Sequence, residues 1–159
     1  GGDATDITST KTFTMPASNV TVSAEFVTNR VVFDLTTSSN RTSGTNSLIW
    51  NYSPANTYVT MNLAVGSAVG YSAGWTSYPN GDYAYTKVYE DFLLTVTPAS
   101  GHSISKVEVA GTGNLYIKSS TNTASSVGYN YTLSDGTQPI VLTMGQECGI
   151  STVTVTMEY

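Results

Sequence analysis

Apolar and polar residues alternate through most of this chain at a period of two, which a strand imposes because successive side chains point to opposite faces. The pattern is clearest between Phe92 and Val109. Phe92, Leu94 and Val96 share one side, and Leu93, Thr95 and Thr97 the other. Pro98 and Gly101 then supply turn chemistry, and Val107 and Val109 alternate with Lys106 and Glu108. This predicts two strands joined as an antiparallel hairpin. Ile104 falls out of phase, which a bulge after the turn would correct.

The same alternation recurs along the chain. Val31, Phe33 and Leu35 predict one strand, Leu48, Trp50 and Tyr52 another, and Val59, Met61, Leu63 and Val65 a third. Beyond the hairpin come Leu115 with Ile117, then Val127 to Leu133, then Ile140 to Met144, then Val153 to Tyr159. Residues 36–47 and 119–126 read as polar loops, and Ser134-Asp135-Gly136 as a turn. No apolar run has the period of a helix. About nine strands at this spacing predict an all-β fold, an antiparallel two-sheet β-sandwich, with a jelly-roll topology ahead of an immunoglobulin-like one.

Upstream, residues 12–15 and 20–26 form two short alternating runs around Pro16-Ala17-Ser18-Asn19, and residues 27–30 read as a link. The predicted division is a partial β-hairpin over 1–27 and a β-sandwich domain over 28–159. The words Phe-Thr-Met-Pro-Ala-Ser-Asn-Val-Thr-Val-Ser-Ala-Glu-Phe, residues 13–26, resemble the closing motif of the internalin-type B repeat of bacterial surface proteins. Leu-Thr-Val-Thr-Pro-Ala-Ser-Gly-His-Ser-Ile-Ser-Lys-Val-Glu-Val, from Leu94, together with the final Ile-Ser-Thr-Val-Thr-Val-Thr-Met-Glu-Tyr, looks like the C-terminal sandwich modules of gut Bacteroidetes extracellular proteins. These resemblances imply an exported, multidomain bacterial protein and a non-catalytic accessory domain that is often carbohydrate-binding.

Composition changes this picture in two respects. Charged residues make up only 11% of the 159, against roughly 25% in ordinary soluble domains. Thr, Ser, Asn and Gly fill the polar positions instead, which suits a secreted or wall-exposed protein touching neutral polar matter. The net charge is −5 and the six Lys and Arg do not cluster, which excludes a phosphate-binding surface and hence a nucleic-acid partner. The single cysteine, Cys148, excludes an internal disulfide framework and reads as a small buried hydrophobe. No stretch approaches the roughly 18 apolar residues of a membrane span and no leader pattern is present, so no membrane insertion is expected of this segment. The start at Gly1-Gly2 reads as that of a piece cut from a longer, processed chain, expected to serve there as a monomeric module.

Candidate chemistry is sparse. His102, the one histidine, lies just past the predicted hairpin turn, and no Gly-x-Ser-x-Gly nucleophile motif accompanies it. Glycoside hydrolysis needs two carboxylates across a cleft, but Glu90 and Asp91 are adjacent, and adjacent strand residues face opposite ways. Asn80 with Asp82, or Glu90 with Asp91, supplies only part of a calcium shell, so no metal and no cofactor is expected. The glycosylation sequons at Asn19, Asn40, Asn51 and Asn130 read as chance in a Thr- and Ser-rich chain.

The aromatic residues carry a functional slant. Both tryptophans and seven of the eleven tyrosines fall between Trp50 and Tyr89. Trp50 sits on a strand and reads as core. Trp75, Tyr78, Tyr71 and Tyr83 sit in or beside a glycine-rich stretch, where flat rings with a polar rim suit a sugar or a protein partner. They are the expected ligand-binding residues of a non-catalytic extracellular binding or adhesion module, its partner a glycan or a host or bacterial surface protein. The alternatives are a structural spacer, in which those rings fill the core, and part of a secreted hydrolase.

Overall fold

The computed structural model describes residues 29–37, 40–43, 49–52, 58–66 and 85–158. The predicted hairpin over 1–27 and the four expected ligand residues, Tyr71, Trp75, Tyr78 and Tyr83, lie outside them. Among the described residues there are twelve strands and no helix. They are β1 (Arg30–Asp34), β2 (Arg41–Ser43), β3 (Ile49–Tyr52), β4 (Val59–Ala64), β5 (Thr86–Val88) and β6 (Leu93–Pro98). Then follow β7 (Ser103–Gly111), β8 (Ile117–Ser120), β9 (Thr123–Val127), β10 (Asn130–Leu133), β11 (Ile140–Met144) and β12 (Cys148–Glu158).

The strands form two antiparallel six-stranded sheets, so the chain is an all-β two-sheet sandwich. Sheet A runs β1-β12-β7-β10-β9, with β5 paired to the first residues of β12. Sheet B runs β2-β3-β4-β6-β11-β8. The pairs nest in sequence: β1 with β12, β6 with β11, and β7 with β10, around the corner between β8 and β9. That nesting is the jelly-roll order. Strands β2 to β4 extend sheet B as a meander, and β9 pairs with β10 in sheet A instead of with β8.

The predicted inner faces are the buried ones. Phe33, Val59, Phe92, Leu94, Ile140 and Val155 are fully buried, and they belong to one apolar cluster shared by both sheets. Cys148 is buried within it. Ile104 is buried too, because Ser105 is an extra residue in β7: Lys106 faces Thr156 while Ile104 faces Met157. The bulge puts Ile104 back in phase with Val107 and Val109.

Four expectations are corrected, the first being that residues 36–47 are a polar loop: Arg41–Ser43 within them is β2, made a strand by its pairing with β3. Strands β6 and β7 are both present but do not pair; the four residues between them cross from sheet B to sheet A. Both sides of β6 are occupied, by β4 and β11, and Ala99 N donates to Tyr58 O, tying the crossing to β4. Residues 119–126 are not a loop but parts of β8 and β9, edge strands whose polar side chains carry no burial pattern and whose backbone pairing alone makes them strands. Nor is Val127 to Leu133 one strand: Gly128 turns the chain at φ +58°, Val127 is 79% exposed, and Asn130 pairs back with Val127. Twelve described strands thus stand where about nine were expected.

Candidate functional site

One end of the sandwich collects most of the described polar chemistry. The β5–β6 turn, the β7–β8 connection and the β11–β12 turn all lie there, stitched together by Asp91 N to Met144 O, Thr112 N to Gly149 O and Gly145 N to Tyr116 O. Gly66 and Tyr85 bound residues 67–84, the stretch that carries all four expected ligand residues.

On the outer face of sheet A at this end is a cleft of about 70 Å³, lined by Tyr85, Lys87, Thr112, Asn114, Glu147 and Gly149, with Cys148 beside them. Strand β5 places the first two. Thr86 and Val88 are buried, so Tyr85 and Lys87 point outward. Thr86 is held by its hydroxyl, which donates to Leu35 O at 2.6 Å. Lys87 pairs in register with Gly149 of β12. A Cβ at position 149 would collide with the Tyr85 ring and crowd the Thr112 methyl. Glycine at 149 therefore lets the ring lie against the backbone, leaving Tyr85 39% exposed.

The polar wall is already ordered. Gly149 N donates to Thr112 Oγ1 at 3.0 Å, Asn114 Nδ2 to Glu147 O at 3.0 Å, and Gln146 Nε2 to Asn114 O at 2.6 Å. Lys87 Nζ lies 2.6 Å from Glu147 Oε1 and 5.0 Å from the centre of the Tyr89 ring. Hydrogen bonding to Glu147, then to Tyr89, pushes the lysine pKa up, so it is an ammonium at every physiological pH. Burial pushes the Cys148 thiol up, which keeps it protonated and unreactive. The cleft therefore offers a flat apolar ring, amide groups, an ammonium donor and a carboxylate acceptor, with the two charges paired.

No family model, no characterised protein and no solved structure matches this chain. Its function must be argued from the site.

The remaining candidates fall elsewhere. His102 is at the opposite end, edge-on to Tyr58 with ring centres 4.6 Å apart. Glu90 and Asp91 lie not in the expected strand but in the β5–β6 turn, where Asp91 takes φ +64° and both carboxylates reach Lys118 Nζ. The turn, unlike a strand, lets neighbours converge. The side chain of Trp50 lies outside the description; its backbone pairs with Leu63. Among the described residues no three His, Cys, Asp or Glu converge as metal ligands.

Reading the sequence missed Tyr85 as a site residue, along with Lys87, Asn114 and Glu147. Tyr85 belonged to the aromatic group already singled out, and Gly149 inside a strand was a signal that another group approaches the backbone closely. What was lacking was the pairing of β5 with β12 that brings them together.

Proposed function

We infer that this chain is a non-catalytic glycan-binding module of an exported bacterial surface protein, and that the cleft beside Tyr85 takes uncharged sugar residues. The observation that carries this reading is the exposed Tyr85 ring seated on Gly149 beside the paired Lys87 and Glu147. A sugar ring stacks its C–H face on an aromatic and spreads hydroxyls around it. Here the hydroxyls meet an acceptor in Glu147 and donors in Lys87 and Asn114. Because the ammonium is matched by a carboxylate, no excess positive charge favours an acidic sugar, and such a site is insensitive to salt. Trp75, Tyr78, Tyr71 and Tyr83 belong to the sequence segment that joins β5 at Tyr85 and are proposed as further contacts.

The low charge and Thr- and Ser-rich surface support an extracellular setting.

The test is a glycan array followed by affinity electrophoresis in neutral polysaccharides. Retention that is unchanged by salt and weakened about tenfold or more by Tyr85→Ala is the expected result. Trp75→Ala extends the map into the adjoining segment. A blank array would remove the glycan reading and leave the spacer. Retention confined to acidic polymers and lost at high salt would contradict the neutral-sugar assignment.

A further inference from the structure

We propose that Tyr116 forms a second neutral-sugar platform on the outer face of sheet B, so that the module holds two glycan chains at once. This rests on the glycan reading of the Tyr85 cleft.

Tyr116 is built as Tyr85 is. A Cβ at position 145 would collide with the Tyr116 ring, so this tyrosine also lies on a glycine backbone, 49% exposed. Lys118 packs its Cβ against the same spot, and its ammonium is held by Asp91 and by Glu90 at 3.4 Å. Each platform thus has a tyrosine on a glycine and a lysine neutralised by carboxylate. Gly145 and Gly149 flank the β11–β12 turn, and that turn is the chain's step from sheet B to sheet A.

The two platforms face apart. Tyr85 and Lys87 flank the buried Thr86 and so stand on the outside of sheet A, while Lys118 reaches over Gly145 to Asp91 on the outside of sheet B. With the two rings turned to opposite outer faces, one sugar ring cannot stack on both tyrosines. Two chains, or two stretches of one branched polymer, can. A module with two outward platforms cross-links a polysaccharide, and its apparent affinity for polymer exceeds that for a short oligomer through avidity.

The experiment uses the full chain with soluble neutral β-glucan, xylan and mannan, and tetrasaccharides prepared from each. Titration calorimetry with the tetrasaccharide that binds is expected to give two sites, falling to one in Tyr85→Ala and in Tyr116→Ala and to none in the double variant. Light scattering with the parent polymer is expected to rise for the unaltered chain and stay flat for either single variant. Polymer affinity should drop roughly a hundredfold in each of them. Unchanged thermal midpoints check that the variants are folded. A single site abolished by Tyr85→Ala, with Tyr116→Ala silent, overturns the second platform and leaves the cleft standing. Loss of all binding in Tyr116→Ala alone overturns bivalence and moves the site to sheet B. Absence of binding to every neutral polymer removes the glycan reading and this inference with it.

Discussion

Asn122 shows how much one side chain can hold. Its backbone takes φ +54°, in the left-handed region, where asparagine is among the few non-glycine residues at home. Its Nδ2 approaches the carbonyls of Asp135 at 2.7 Å, Gln138 at 3.0 Å and Pro139 at 3.3 Å, while Oδ1 accepts from Asp135 N at 2.9 Å. The β8–β9 turn is thereby fastened to the β10–β11 connection. Asn122→Ala should cost about 1–3 kcal/mol in denaturant unfolding. Asn122→Gly keeps the backbone but not the amide, so recovery of full stability in that variant would assign the effect to φ. A second local motif occurs twice. Asp34 accepts from the backbone and hydroxyl of Thr36, and Asp135 does the same with Thr137. The Thr hydroxyl first, then its N–H, holds each carboxyl below its ordinary value of 3.8. A carboxylate depressed in the folded state contributes above its unfolded value and loses that contribution as pH falls through the folded one. The stability difference between the chain and its Thr36→Val or Thr137→Val variants should therefore shrink below about pH 4. Carboxyl titration by NMR should show Asp34 and Asp135 moving up in the respective variants.

Among the elements, the bulge in β7 decides which way Ile104 points. Ser105 Oγ donates to Thr156 O at 3.2 Å, but its main effect is to be present, since it shifts register by one. Removing Ser105 would turn Ile104 to the opposite face. The loss should be at least roughly 1.5–3 kcal/mol for the burial alone, seen as a lower urea midpoint. Ser105→Gly keeps the residue count, and a comparable loss there would show that the side chain and not the register matters. The alternation around Val107 and Val109 made the phase error of Ile104 legible, and the bulge was the physical remedy. The partner of β7 was not legible. A period of two assigns each side chain to a face but carries nothing about which neighbour shares the backbone hydrogen bonds, and β7 pairs with β12 and β10 instead of with β6. Strands β8 and β9 escaped for a related reason: Ser119, Ser120, Ser125 and Ser126 lie on edges where burial imposes no alternation.

Across the molecule, β12 is the member on which sheet A depends. Its first residues pair with β5, its later ones with β1, and β7 runs alongside it for most of its length. A chain ending before Cys148 leaves all three without that partner and takes Ile150, Val153 and Val155 out of the core. Such a chain should show no cooperative thermal transition and no near-ultraviolet dichroism; a retained sharp transition would mean that sheet B folds without sheet A. The jelly-roll nesting also explains why the candidate site needs distant parts of the chain. Tyr85 precedes β5, Thr112 follows β7 and Gly149 lies in β12, and only the roll brings these stretches to one end.

Local alternation was enough to predict an all-β sandwich, most of the inward-facing side chains, a buried Cys148, and the phase error at Ile104 that a bulge would correct. Those properties follow from the period of a strand and from the cost of leaving apolar surface in water. Long-range packing set the rest: the strand partners, the crossing after Pro98, the convergence of Glu90 and Asp91 on Lys118, and the seating of Tyr85 and Tyr116 on glycines. Each of these depends on which remote backbone lies alongside, and the competition among strands of equal pattern is settled only when all of them pack at once.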